Sequence, residues 1–245
     1  FGSQVVPTWQ TLQAIDAHLH GKATRSHPGK HASTETLVLH HNEFIKWTGA
    51  RLVVLLALRE SKALDLQASI HEAHDHWILV NDKEVHGGLG AMPQPLTEVC
   101  AQIMSAIRAH CAALHRRFIT LGLGHSELAR WAKQVSLHGH VPLLCLASSE
   151  KQIKALATSD ILASLPAAIK VAPDWGRKFM ENQLRHEGLH SSEIDTFLRH
   201  TVPGQLRMCS TSVSHTQTYW RRVNRAVTAI AQHLWNTPVQ GLAKE

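Results

Sequence analysis

Arg51-Leu52-Val53-Val54-Leu55-Leu56-Ala57-Leu58 holds the longest apolar run in the chain, Leu52–Leu58. It is far shorter than the ~18 apolar residues a membrane span needs, and no other run comes closer. Its length and its Val and Leu content suit a strand buried on both faces, as in a parallel sheet. Seven more short apolar segments are candidate strands: Gln4–Pro7, His76–Val80, Phe118–Leu123, Pro142–Ala147, Ala168–Val171, Leu206–Cys209 and Val227–Ala231. Between them lie helical patterns. Leu96–His115 carries Val99, Ile103, Ala106, Ile107 and Leu114 near helical spacing, and Ser126–His138 opens on a capping serine. Ser149–Ser164, Ser191–His200 and Thr216–Val223 are the other helical segments. Gly21–Ser33, with Gly21, Pro28 and Gly29, is expected to be a long loop. Strands alternating with helices predict an α/β fold, a (β/α)8 barrel forming a single domain over residues 1–245.

Apolar residues make up 44% of the 245, which is enough for a substantial core. The net charge is +6 and the isoelectric point near 9.4. That balance favours acidic partners, among them nucleic acid. The basic residues are scattered, with only Arg116-Arg117 and Arg221-Arg222 as pairs among the arginines. RNA contact through a basic surface therefore stands beside the plainer reading of general basicity. The four cysteines, Cys100, Cys111, Cys145 and Cys209, are widely spaced and read as reduced, mostly buried thiols of a non-secretory compartment. Twenty histidines are an unusual load. His71, His74 and His76, His138 and His140, and His40 and His41 lie close together, but none forms a recognised zinc pattern, so no metal and no cofactor is expected.

The loops after the candidate strands carry a resemblance. Gly124-His125-Ser126-Glu127 follows the fourth strand, and Asn81 and Gly87-Gly88-Leu89-Gly90-Ala91 follow the third. Val141–Leu146 includes Cys145, Ala168–Trp175 closes the sixth strand, and Ser210-Thr211-Ser212-Val213 follows the seventh. Pro7-Thr8-Trp9-Gln10 lies near the start. In this order the segments resemble the triosephosphate isomerase family across nearly the whole chain, which implies a TIM barrel.

The family's reaction moves a proton between adjacent carbons of a sugar phosphate. It uses a carboxylate base, a neutral histidine, a lysine and a phosphate cradle. The resemblance places Ala172 at the base position, and a methyl group takes no proton. Asp174 is two residues displaced. Gln10 stands at the lysine position and Thr8 at that of the preceding Asn. His125 and Glu127 remain as vestiges of the machinery, and Ser212 as a remnant of the phosphate site. Ser210 and Thr211 replace two glycines, His233-Leu234 replaces the paired glycines of the eighth loop, and Gly176–Met180 replaces the closing hinge.

The resemblance therefore implies a non-catalytic barrel, a structural or interaction subunit whose partners are other proteins of a large complex. A mitochondrial setting is expected, with the cytoplasm as the alternative and secretion not expected. Removal of a presequence before Phe1 is left open. Met92-Pro93-Gln94-Pro95 alters the loop through which the family dimerises, so the family-type homodimer is in doubt. Two enzyme readings compete. One is an active sugar-phosphate isomerase with rearranged residues. The other is a metal-dependent hydrolase like the amidohydrolases, using Asp16-Ala17-His18-Leu19-His20.

Overall fold

In a computed structural model, residues 6–59, 64, 66–67, 77–80, 92–200 and 217–242 are described. The run that opens the sequence reading is not a strand. Arg51–Leu55 is the last turn and a half of a long helix, α2 (Thr34–Leu55), and Leu56–Leu58 close it. Ser33 starts this helix by accepting a hydrogen bond from the Thr36 N–H. From Phe44 to Leu55 nearly every residue is buried. A helix apolar all round belongs in the centre of a fold, and α2 is where α1, α3, α5, α6 and β3 meet.

α1 (Trp9–Arg25) lays Leu12, Ile15 and Leu19 against α2, and Thr8 caps its start. α3 (Glu98–Thr120) and α4 (Glu127–Ser136) form an antiparallel-type hairpin of helices, with α3 also touching α2. α6 (Trp175–His186) reaches α2 through Gly176, where a Cβ would come within 3.1 Å of the Val53 carbonyl oxygen and the Val54 Cα. α5 (Thr158–Leu162) packs on α2, and α7 (Ser191–Phe197) on α6. α8 (Gln217–Leu234) packs on α3, α1 and α6. The buried apolar residues of these helices form one cluster.

The strands of the described residues make two separate antiparallel hairpins. β1 (Trp77–Val80) pairs with β2 (Met92–Pro95), Trp77 opposite Pro95. β3 (Cys145–Ser149) pairs with β4 (Gln152–Ala155), with an irregular step between Ala147 and Ser149. The second hairpin lies on α2, which satisfies the free edge of β3. The Asn42 side chain donates to the Ala147 carbonyl and accepts from the Ala147 N–H, and the His41 ring donates to the Cys145 carbonyl. A side-chain amide thus stands in for a third strand.

The (β/α)8 barrel, and with it the TIM barrel implied by the resemblance, is not formed. Phe118–Leu123 covers the end of α3 and its closing turn, and Val227–Ala231 lies inside α8. Ala168–Val171 has no regular structure, nor have Val6 and Pro7. Leu206–Cys209 lies outside the described residues. Trp77–Val80 and Cys145–Ala147 are strands, but antiparallel ones. The predicted loop at Gly21–Ser33 begins later, because α1 continues to Arg25. The helical readings for α3, α4, α7 and α8 hold, each with shifted ends. The segment Ser149–Ser164 contains β4 and the short α5 instead of one helix. The supposed closing hinge Gly176–Met180 is part of α6.

Five helices end alike. In α3 the Leu123 N–H reaches back to the Phe118 carbonyl and the Gly122 N–H to that of Ile119, with Gly122 left-handed at φ 74°. The same double bond with a left-handed residue closes α2 at Ala57, α4 at His138, α6 at Gly188 and α7 at Arg199. Left-handed backbone costs a residue with a Cβ roughly 1–2 kcal/mol. Gly122→Ala, at a site where the new methyl meets nothing within 4 Å, is therefore expected to lower stability by about 1 kcal/mol. His138→Gly, on an exposed turn, is expected to raise it by about 0.5 kcal/mol after the entropy of the added glycine is counted. Urea denaturation of the two variants checks the opposite signs.

Candidate functional site

The residues singled out by the resemblance do not gather. Gln10 sits exposed in the first turn of α1, and Ala172 is half-buried in the segment before α6. Ser212 lies outside the described residues, as do Asn81, Gly87–Ala91, His71, His74 and His76. His233 and Leu234 end α8, where the His233 carbonyl accepts from Gln13 and its ring lies 4.3 Å from that of Trp9. Asp174 is left-handed at φ 56° and begins α6.

Gly124–Glu127 joins α3 to α4. Gly124 is pressed against Ile119, and Ser126 caps α4 through the Ala129 N–H. His125 is exposed, and Glu127 occupies the first turn of α4, where its charge favours the helix start. Around them, Arg130, Glu150 and Lys151 line an open depression of about 370 Å³.

The metal motif of α1 is likewise dispersed. Asp16 accepts from Arg51 twice, at 2.7 and 2.8 Å, and from the Trp47 indole at 2.8 Å. His18 bonds the Ser164 carbonyl, and His20 bonds the Thr24 hydroxyl and lies against Trp47. Among the described residues no three His, Cys, Asp or Glu side chains are grouped to hold a metal ion.

A more spacious concavity lies elsewhere, a cleft of about 640 Å³ between α1, α2, the β3–β4 hairpin and α5. Leu146, Ala147, Ile153 and Ala163 contribute its apolar lining. Three lysines from three elements border it. Lys22 of α1 donates to the Ser164 carbonyl at 3.0 Å, the oxygen that His18 also contacts. Lys46 of α2 donates to Glu43 at 2.9 Å, and Lys154 of β4 to Asp160. Asp160 also accepts from the Ala157 N–H at the start of α5. Burial alone would raise its carboxyl pKa. The bonds from Lys154 and Ala157 and the charges of Lys154 and Lys46 outweigh this and hold it below the ordinary value. No local sequence signal marks this cleft, because its lysines lie far apart in the chain and meet only through tertiary packing.

The other polar assembly is sealed inside. The Leu242 N–H donates to His110 Nδ1, His110 Nε2 faces His41 Nδ1 at 3.2 Å, and His41 Nε2 faces the Cys145 carbonyl at 3.1 Å. A carbonyl only accepts and a backbone N–H only donates. Each ring is therefore neutral with its proton on Nε2, and the bonds run in one direction from Leu242 to Cys145. His40 donates from Nδ1 to the Ala23 carbonyl beside them. Burial is the main cause that depresses all three imidazoles, to about 4 for His40 and His41 and well below the ordinary range for His110. Burial likewise pushes the Cys100 and Cys145 thiols up to about 12, so they are protonated and inert.

Comparison with protein-family profiles, with curated proteins and with solved structures finds no match to this chain.

Asp16→Asn is expected to destabilise the protein by about 3–5 kcal/mol by leaving the buried Arg51 charge uncompensated, with metal content unchanged. Chemical denaturation with elemental analysis of the pure protein checks both halves. The histidines set a second expectation. In the unfolded chain they titrate near 6.5, while folded His40 and His41 stay neutral to about pH 4. The unfolded state binds more protons across that window, so stability falls as pH drops from 6.5 to 4 and this contribution levels off below. The loss is on the order of 3 kcal/mol for one such imidazole. Urea midpoints between pH 7 and 4, with amide exchange at Leu242, measure it.

Proposed function

We propose that this chain is a non-catalytic interaction subunit of a larger protein assembly, in a mitochondrial setting. The observation that carries the reading is the use made of Gly124–Glu127. The segment that most suggested catalysis closes a helix hairpin, its serine capping α4 and its histidine facing solvent. General acid–base work needs a group held against the proton it moves, and an exposed turn at an open depression holds none in place.

Two further features support the reading. The net charge of +6 favours acidic partners. The end of α3 presents Ile119 and Leu121, each about half exposed, with exposed Arg116 one helical turn before Ile119. Apolar side chains beside an arginine are common where protein surfaces meet. RNA contact through the same basic surface is part of this reading. The described residues include no helix long and apolar enough to cross a membrane.

The purified chain is expected to show no turnover of triose phosphates above background and to migrate with a large complex in native extracts. Turnover that is robust in the wild type and lost in His125→Gln would overturn the proposal. Fractionation that leaves the chain monomeric and outside mitochondria would do the same.

A further inference from the structure

The cleft bordered by Lys22, Lys46 and Lys154 has no part in the closure of the α3–α4 hairpin. Its lining mixes two characters: Leu146, Ala147, Ile153 and Ala163 provide apolar surface, and Lys22, Lys46 and Lys154 come to it from α1, α2 and β4. Lys46 and Lys154 each meet a carboxylate, Glu43 and Asp160, at one of three donor sites. Lys22 bonds a neutral carbonyl, and among the described residues no carboxylate pairs with it. The lysines thus keep further donors, and the count of charges at the cleft, three positive against two negative, leaves an excess of one.

The neighbouring contacts hold this arrangement in place. Asn42 clamps the Ala147 backbone on one wall, and Asp160 ties β4 to the start of α5 on another. The Lys46 side chain is only 18% exposed, so its charge is partly withdrawn from water and strengthened toward any carboxylate that enters. Cations carried by three elements beside apolar lining are complementary to a chain that bears both acidic and apolar side chains, the first reaching the lysines and the second covering the apolar surface.

We propose that this cleft is the docking site for an acidic, partly apolar segment of a partner protein. The inference rests on the interaction reading above and names the chemistry of one partner. Lysines act as point charges without the planar fork of arginine, so the recognition is of charge pattern more than of exact carboxylate geometry. Binding weakens as salt rises.

A fluorescent peptide of alternating Glu and Leu, titrated against the full chain, tests it. Lys22→Gln and Lys154→Gln, each first shown to melt like the wild type, are expected to weaken binding about tenfold, the loss of one charge-assisted hydrogen bond. Lys133→Gln, on the exposed side of α4, is expected to change nothing. Carbodiimide coupling of the peptide should place its amide links on Lys22, Lys46 or Lys154.

Links concentrated on exposed Lys133 and Lys151 would overturn the proposal. So would equal affinity of all three variants, or competition by inorganic phosphate at lower concentration than the peptide. If the peptide ignores the cleft while the native chain still migrates in a large complex, this inference fails and the interaction reading stands. Robust triose-phosphate turnover defeats that reading itself.

Discussion

Arg51 holds a full charge inside the helix on which α1, α3, α5, α6 and the β3 edge all pack. Its side chain is 5% exposed, and its guanidinium lies between the rings of Trp47 and Trp235, 4.7 and 4.9 Å from their centroids. An isolated charge there would be prohibitive. Asp16 answers it through two parallel bonds and the Thr237 carbonyl through a third. One side chain of α2 thereby fixes the position of α1 and of the chain that follows α8. Apolar packing alone would leave these elements freer to slide, because α2 is apolar on all sides and offers no single preferred face. The bidentate pair supplies the register that the hydrophobic contacts lack.

The histidine chain makes a second tie of the same kind from nearer the start of α2. His41 lies between the β3 edge and His110, and His110 receives the Leu242 N–H. Gly241 passes so close to the His110 ring that a Cβ would sit 2.7 Å from it. The residues after α8 are thus held at both Thr237 and Leu242, by a charged group and by a neutral one. Neutral imidazoles serve here because each is both donor and acceptor, so two rings join a backbone donor to a backbone acceptor with no charge to solvate. Acid removes that property, since a protonated ring has no acceptor to offer the Leu242 N–H.

The helices with a polar face were legible in the sequence and the central one was not. α3, α4 and α8 alternate buried and exposed positions at helical spacing, and Ser126 announces the start of α4. α2 has no exposed stripe between Phe44 and Leu55, so its apolar run looks the same as a doubly buried strand. The clue was length, because apolar residues recur from Leu37 to Leu58, too far for one strand. Val227–Ala231 was misread for a different reason. Taken alone it is a short β-branched segment, but Val223, Ala226, Val227, Ile230, Ala231 and Leu234 together follow the 3.6-residue period. Glycines could have helped, since Gly122 and Gly188 each follow a helical pattern where a left-handed cap belongs. The left-handed Ala57, His138 and Arg199 gave no such signal.

The site was less legible than the fold, and the reason is physical. A motif can be read from sequence when its residues are close in the chain, as in Gly124–Glu127 or Asp16–His20. The first is a connecting turn between two helices, and the second is a helix segment whose side chains diverge: Asp16 turns to Arg51, His18 to Ser164 and His20 to Thr24. The lysine cleft is the opposite case. Its three cations meet only because α1 and the β3–β4 hairpin both pack on α2, each anchored by a polar contact, Asp16 to Arg51 on one side and Asn42 to Ala147 on the other. The spacing of the cleft's walls is therefore set by the same buried polar contacts that order the core. A substitution at Asp16 or Asn42 would disturb the cleft without touching a lysine.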